Sequence, residues 1–190
     1  MPTTHLQQGF NVNEVAALLG LEVRRVRKEV EHGLFGSSSP PRFTFADLVY
    51  FAILARADSG TLSLSTRKKL HALVVVEARR KRAWHSVEIA PLVEVRVDRA
   101  AKEAAELVRE FNLWRKKLVT KDTILGGEPV FPRSRLAVRH VGGMLLKGLR
   151  REEIREDYPY LTDEDLRFAL IFTRAYPAMG RPPEHQAAAR

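Results

Sequence analysis

Four cationic side chains crowd one short segment of the sequence, LEVRRVRKEVEHGLF: Arg24, Arg25, Arg27 and Lys28. A guanidinium group can donate two parallel hydrogen bonds to a phosphate or to the edge of a guanine base. The whole chain has a formal net charge of +9 and a pI near 10.2, which indicates an anionic partner, most often nucleic acid. These four residues are therefore the first candidates for contact with DNA.

A second basic run, EARRKRAW from Glu77 to Trp84, lies in the segment of residues 59–119, which holds most of the excess positive charge. Such a run can bind phosphates without reading the base sequence. It can equally be a solvated helix end, where cations complement the helix dipole. The sequence leaves both interpretations open.

Patterns typical of catalysis or metal binding are missing from the sequence. The absence of cysteine excludes disulfides, thiolate metal sites and cysteine nucleophiles. The 6 histidines are scattered, and no His, Asp, Glu or Ser constellation places a nucleophile beside a base. We therefore expect no enzyme activity, no cofactor and no bound metal. Because no apolar run is long enough to cross a membrane and MPTTHLQQGF lacks a signal-peptide pattern, we expect a cytoplasmic protein.

The basic segment lies on the second of two predicted helices. Asn13 is placed to cap a first short helix that Gly20 ends, and the second helix is predicted from about Val23 to His32. This is helix-turn-helix spacing, in which the second helix can enter a major groove. Apolar residues at spacings of three and four predict its buried stripe: Val23, Val26 and Val30. A generic helical core with incidental arginines is the alternative.

This region resembles the start of a MerR-type winged helix-turn-helix, on NEVAALLGLEVRRVRKEVEHGLF followed by RFTFADL. The matching positions are Gly20, Arg24, Arg27, Gly33, Leu34, Arg42, Phe43, Thr44, Asp47 and Leu48. Thr44 and Asp47 also form a capping-box pattern that predicts a helix over FADLVYFAILARA, and GSSSPP would be the tip of the wing. The chain departs from the family at Lys28 and Glu29, where an aromatic pair is usual. The resemblance implies DNA contacts from Arg24, Arg25, Arg27, Lys28 and Arg42.

The middle of the chain has helix, strand and helix character. A helix opened by Ser65 is predicted over STRKKLHALVVVEARRKRAW, and one or two short strands are predicted around Pro91. A long amphipathic helix capped by Asp98 follows. The narrow apolar stripe of this helix permits dimerisation, although packing within the same chain is the more ordinary explanation. The stripe contains Ala101, Ala104, Ala105, Val108, Phe111 and Leu118.

The last third predicts a small three-helix unit. Gly126 and Gly127 predict a tight turn, and PVF predicts a short strand after it. Gly148 can end the helix that follows. The inner face of that helix is predicted to hold Leu136, Val138, Val141, Leu145 and Leu146. A second helix is predicted over about Arg151 to Asp157, and Thr162 with Asp165 forms the capping box of a third.

The predicted fold is thus mostly α with short β-strands. It comprises an N-terminal winged helix-turn-helix over residues 1–58 and a central strand and helix segment over residues 59–119. A C-terminal three-helix domain over residues 120–177 and an extended tail over residues 178–190 follow.

The last third closely resembles the antitoxin-associated domain of unknown function numbered 433, over roughly Lys121 to Tyr176. The matching positions are Gly127, Pro129, Val130, Phe131, Arg135, Gly148, Leu149, Asp157, Tyr158, Pro159, Leu161, Thr162, Glu164, Asp165 and Leu166. Ser134 and Leu136 depart from the usual threonine and isoleucine. The resemblance implies an antitoxin of VapB type, which is partnered with a PIN-domain ribonuclease toxin and autoregulates its own operon. A stand-alone MerR-like regulator is the alternative, and it would need a ligand pocket or metal site.

The third C-terminal helix begins with three carboxylates, Asp163, Glu164 and Asp165, which repel phosphates. We therefore predict that the N-terminal unit reads DNA and that the C-terminal unit supports oligomerisation or toxin docking. Four cations keep the reverse assignment open: Arg135, Arg139, Arg150 and Arg151. The tail is either a plain solvated segment or an arm that reaches the toxin's acidic metal site. Its predicted toxin-binding residues are Arg181, Pro182, Pro183 and Arg190.

Overall fold

The computed structural model describes residues 9–36, 38–57, 62–80 and 83–177. Over these residues the chain is mostly helical, with a single two-stranded sheet in the middle, which confirms the predicted fold class. The elements in chain order are α1 (Val12–Leu19), α2 (Val23–Glu31), α3 (Phe45–Arg56), α4 (Leu64–Arg79), β1 (Val87–Ala90), β2 (Val93–Val95), α5 (Val97–Lys117), a short 3-10 helix (Leu125–Gly127), α6 (Val138–Leu146), α7 (Arg151–Asp157) and α8 (Asp163–Ala175).

Two helices begin two residues earlier than the sequence patterns indicated. Asn11 caps α1, because its side chain accepts the Glu14 N–H at 2.9 Å while the Glu14 carboxylate accepts the Asn11 N–H at 2.8 Å. The prediction of Asn13 as the cap was therefore wrong, and Asn13 lies inside the first turn. Ser63 caps α4 in place of the predicted Ser65, with its hydroxyl accepting the Thr66 N–H at 3.2 Å.

The remaining helix boundaries follow local capping signals. The predicted capping boxes of Thr44 with Asp47 and of Thr162 with Asp165 are both formed, and they open α3 and α8. Gly20 ends α1 in the left-handed conformation at φ 65°, where a side chain would be strained. The second C-terminal helix runs over Arg151–Asp157, as predicted.

The strands β1 and β2 lie on either side of Pro91, where the sequence predicted one or two short strands, and they pair antiparallel. Asp98 does not cap α5, because the helix already begins at Val97, and Asp98 pairs instead with the Arg96 guanidinium at 2.8 Å. The predicted PVF strand is reduced to isolated bridges from Val130 to Val119 and to Ala137. Leu136 precedes α6, and Leu146 is 48% exposed, so neither belongs to the inner face of that helix.

One continuous apolar core joins the first helices to the last. The helix α3 packs against α4 and α5, while α8 packs against α6, α1 and α5. The apolar stripe of α5 is used within the chain, since its central members are buried in this core: Ala101, Ala104, Val108 and Phe111. Trp114 is buried beside this stripe, and its indole N–H donates to Asp165 at 2.9 Å.

Candidate nucleic-acid interface and the C-terminal domain

The predicted recognition helix α2 presents a basic face to solvent. Arg24, Arg27 and Lys28 are exposed, and their spacing of three and four residues places them on one side of the helix. Glu31 is exposed on the same side. The opposite side is anchored by Val26, which is fully buried, as the sequence predicted, while Val23 and Val30 are half-buried. The helix therefore has an exposed basic face and a buried apolar face, as a helix that enters a DNA groove requires.

Arg25 is separated from the other cations of α2. Its guanidinium donates to the backbone carbonyls of Leu54 at 2.6 Å and Ala57 at 3.1 Å, at the end of α3. Terminal carbonyls of a helix have no partner within the helix, so this contact satisfies them and fastens α2 to α3. Arg25 is half-buried and serves the fold, whereas Arg24, Arg27 and Lys28 remain accessible.

Glu29 fixes the orientation of α2 from inside the protein. Its side chain is only 3% exposed, accepts a hydrogen bond from the Tyr50 hydroxyl at 2.8 Å and forms an ion pair with Arg67. Burial, together with the Glu29 carboxylate, raises the pKa of Tyr50, so this hydroxyl stays protonated as a donor. One buried network thus connects α2, α3 and α4. Sequence reasoning missed this role of Glu29, although its spacing from Val26 matched the buried stripe.

A second polar contact holds α4 against the start of α3. The His71 imidazole lies 2.7 Å from the Asp47 carboxylate, which also closes the Thr44 capping box. Burial alone would raise the pKa of Asp47, but the hydrogen bonds from His71 and Thr44 hold it below its ordinary value of 3.8. Because a carboxylate only accepts, the imidazole nitrogen that faces Asp47 carries the hydrogen.

Arg42 lies apart from the basic face of α2. It precedes Phe43, which forms an isolated antiparallel bridge with Phe10, and its side chain is exposed. Arg42 lines a cavity of about 540 Å³ whose wall includes Glu14 and Arg115. Arg24 and Lys28 line a different cavity, of about 660 Å³. The structure therefore places the predicted DNA-binding residues in three settings: the exposed face of α2, the α2–α3 contact of Arg25, and the loop position of Arg42.

A polar contact lies at the junction between the N-terminal helices and the C-terminal domain. The Tyr176 hydroxyl, at the end of α8, donates to the Glu14 carboxylate at 2.7 Å and accepts from the Arg115 guanidinium at 2.6 Å. Burial and the Glu14 carboxylate raise the pKa of Tyr176 to about 12. Three elements, α1, α5 and α8, thus meet at one hydroxyl.

The four C-terminal arginines that offered another DNA-reading surface differ in their surroundings. Arg139 is occupied, because its Nη1 donates to both carboxylate oxygens of Glu128 at 2.7 Å and its Nε donates to the Tyr176 carbonyl at 2.9 Å. Arg150 pairs with Glu153 at 3.0 Å at the start of α7. Arg135 and Arg151 are exposed. The helix α8 packs against α1, α5 and α6, so most of its surface is covered.

Three further expectations concern the tail, a bound metal ion and a membrane-spanning helix. The predicted toxin-binding residues of the tail lie outside the described residues: Arg181, Pro182, Pro183 and Arg190. In the part of the chain that the structure describes, no group of three His, Asp or Glu side chains is arranged to hold a metal ion. Within that same part, no helix combines the length and apolar character needed to cross a membrane.

Comparison with known proteins finds a match for the C-terminal part of the chain. No curated protein and no solved structure matches the sequence. One family model does, and the match begins at the bridge between Val119 and Val130 and ends within α8. It therefore takes in α6, α7 and the capping box at Thr162, which are the features that the motifs predicted. Residues 119–173 match the family described as "Protein of unknown function (DUF433)".

Proposed function

We propose that the chain is a cytoplasmic antitoxin of VapB type, which binds its own operator DNA and neutralises a PIN-domain ribonuclease toxin. The observation that supports this proposal is the DUF433 match over residues 119–173, in one chain with a helix whose exposed face is basic. The antitoxin role comes from the resemblance of the C-terminal motifs to antitoxin-associated domains. The DNA-binding role comes from the chemistry of α2.

The basic face of α2 is suited to a DNA groove. Arg24, Arg27 and Lys28 are exposed together, while Arg25 and Glu29 are turned inward and hold the helix in place. A helix that is anchored on its inner face loses little conformational freedom when its outer face meets DNA. Arginine can contact guanine edges or phosphates, and both contacts need an unpaired, accessible guanidinium.

Replacing Arg24 and Arg27 together with alanine should weaken binding to the chain's own upstream region. We expect a loss of roughly 1–3 kcal/mol for each base contact removed, measured by band-shift titration at fixed salt. If these arginines hold phosphates only, the salt dependence of binding should fall while the preference for the operator over unrelated DNA persists.

The matched control is the double replacement of Lys102 and Arg109 with alanine. Both side chains are exposed on α5, so the variant loses the same charge at another place. It should bind the operator as the original protein does. Equal affinity in the Arg24 and Arg27 variant and the original protein would contradict DNA reading by α2. The C-terminal arginines or the basic run after Glu77 would then be the remaining candidates.

For toxin neutralisation, we propose that the C-terminal domain supplies the main docking surface and that Arg181 reaches the acidic metal site of the ribonuclease. An arginine in such a site can displace or immobilise the metal. Truncation after Ala178 should leave operator binding intact and reduce inhibition of the purified toxin in an RNA cleavage assay. Arg181→Glu should reduce inhibition in the same way. Full inhibition by the truncated chain would eliminate the tail mechanism and leave neutralisation to the folded domains.

A stand-alone MerR-like regulator is the second candidate. The cavity of about 660 Å³ beside α2 favours it, since such a regulator needs a ligand pocket. The genomic neighbourhood separates the two candidates. An adjacent short reading frame with spaced acidic residues supports the antitoxin, and its absence favours the lone regulator.

A further inference from the structure

The cavity beside α2 is formed where several elements of the described chain meet. It lies between the turn that joins α1 to α2, the end of α3 and the start of α4, and its volume is about 660 Å³. Cavities of this size bind small organic molecules in many proteins. Part of its wall is apolar and contains Leu19, Leu21, Leu54 and Leu62. The cationic part of its wall contains Arg24, Arg25, Lys28 and Arg67.

The charge of this cavity favours an anion. Its wall includes two carboxylates, Glu22 and Glu29, against four cations. Glu29 is already paired with Arg67 and accepts the Tyr50 hydroxyl, so its charge is compensated within the protein. The Lys28 ammonium is exposed at the edge of the cavity. An anion that enters therefore meets a net positive wall.

One polar atom of the wall lacks a partner. The Nε of Arg67 is buried and has no hydrogen-bond partner among the residues that the structure describes. A buried donor without an acceptor costs free energy, so a small movement of the Arg67 side chain that brings this N–H to an acceptor in the cavity is favoured. The other end of the same guanidinium is held by Glu29, which keeps Arg67 in place.

We propose that this cavity is a binding site for a small organic anion, with one carboxylate head and an apolar body. The carboxylate contacts Arg67 and Lys28, and the apolar body packs on the four leucines. Inorganic phosphate or a DNA phosphate would satisfy the cations but leave the leucine wall uncovered. The site is tested on the free protein, because Lys28 also belongs to the basic face of α2 that is proposed to contact DNA.

Isothermal titration calorimetry of the full chain tests the site with hexanoate as the probe. We expect saturable binding of one hexanoate per chain, with neutral hexanamide at least tenfold weaker because it lacks the charge. Shortening the probe from hexanoate to butanoate should weaken binding by about fourfold per methylene group, the value for complete burial of a CH₂. Absence of saturable binding, or equal binding of hexanoate and hexanamide, would overturn the proposal.

Variants locate the site on the protein. Lys28→Gln should weaken hexanoate binding by about threefold, as expected for one exposed charge. Lys68→Gln is the matched control, because Lys68 is exposed on α4 next to Arg67 but does not line the cavity. Leu21→Asp, whose folding is checked by thermal melting, should weaken binding at least tenfold. Equal weakening by Lys28→Gln and Lys68→Gln, or phosphate binding as tight as hexanoate, would contradict a carboxylate site with an apolar wall.

Discussion

At the scale of single residues, partners distant in sequence decide what each charge of α2 does. Arg24 and Arg25 are neighbours, yet Arg24 is exposed while Arg25 donates to the carbonyls of Leu54 and Ala57. The Glu29 side chain likewise points inward, because its carboxylate accepts a hydrogen bond from Tyr50 and forms an ion pair with Arg67. A buried carboxylate without such partners would be strongly destabilising. The inward carboxylate of Glu29 is therefore accommodated by a polar network in this chain.

Asp47 makes stability depend on pH in the acid range. Its folded-state pKa lies below 3.8, so its stabilisation is present above pH 3.8 and is lost as pH falls through the lower, folded value. Asp47→Asn should lower the free energy of unfolding by about 1–3 kcal/mol at pH 7, because the His71 hydrogen bond and the α3 cap are both weakened. Urea unfolding at pH 7, 5 and 3 should show the difference between the proteins shrinking at pH 3.

Asp157→Asn provides the control for this titration, because Asp157 is exposed at the end of α7. It should follow the original protein at all three pH values to within about 0.5 kcal/mol, as is usual for surface substitutions. A difference between Asp47→Asn and the original protein that stays constant from pH 7 to pH 3 would show that Asp47 is not preferentially ionised in the folded state.

At the scale of elements, α6 and α8 approach each other closely at Gly142. A Cβ added at Gly142 would lie 2.0 Å from the Thr173 hydroxyl and 2.6 Å from the Ala169 carbonyl oxygen. Gly142→Ala should therefore force the two helices apart and destabilise the protein by about 1–3 kcal/mol. Gly143→Ala meets nothing within 4 Å and should be neutral or stabilise the helix by up to about 1 kcal/mol. Urea unfolding of both variants measures the difference, and equal effects would contradict the close packing.

Local signals predicted the elements well, and the exceptions have local causes. The three predicted C-terminal helices, the short strands around Pro91 and the capping boxes at Thr44 and Thr162 are all present. Asn13 was the wrong cap because the sequence offers two asparagines, and only Asn11 has a Glu three residues later. Glu14 was thus the readable signal that decides between them.

The candidate site was less predictable, because its decisive contacts are long-range. The exposed cations Arg24, Arg27 and Lys28 follow from helical periodicity alone. The inward role of Arg25 depends on the end of α3, and that of Glu29 depends on Arg67 of α4. Both partners lie far from α2 in the sequence, so no sequence pattern predicts these contacts. The cavity beside α2 is likewise lined by residues of the α1–α2 turn, α2, α3 and α4, which meet only in the folded chain.

At the scale of the whole molecule, the two ends of the described chain form one body. The helix α1 packs on α8, and the apolar core runs without interruption from Phe10 to Phe172. The DUF433 match therefore covers a domain whose last helix also supports the N-terminal helices. A change at the C-terminal domain can reach the basic face of α2 through α8 and α1, because these helices pack directly against each other.

Tyr176→Phe tests this connection, since it removes the hydroxyl that joins Glu14 of α1 to Arg115 of α5. We expect the free energy of unfolding to fall by about 1–3 kcal/mol, because a part-buried carboxylate is left without its hydroxyl donor. The two tryptophans report on different regions: Trp84 packs against Phe45 of α3, and Trp114 against Phe168 of α8. In versions that retain one tryptophan each, Tyr176→Phe should shift both fluorescence transitions to the same lower urea concentration.

Tyr160→Phe is the matched control, because Tyr160 is 54% exposed and removal of its hydroxyl should leave both transitions in place. We expect equal midpoints for Trp84 and Trp114 because unfolding is cooperative. If α1 and α8 unfold together, removing a hydrogen bond between them lowers the stability of both regions by the same amount. Separate midpoints for Trp84 and Trp114 would mean that the N-terminal helices unfold independently of the C-terminal domain. In that case, the packing of α1 on α8 would contribute too little to couple the basic face of α2 to the C-terminal domain.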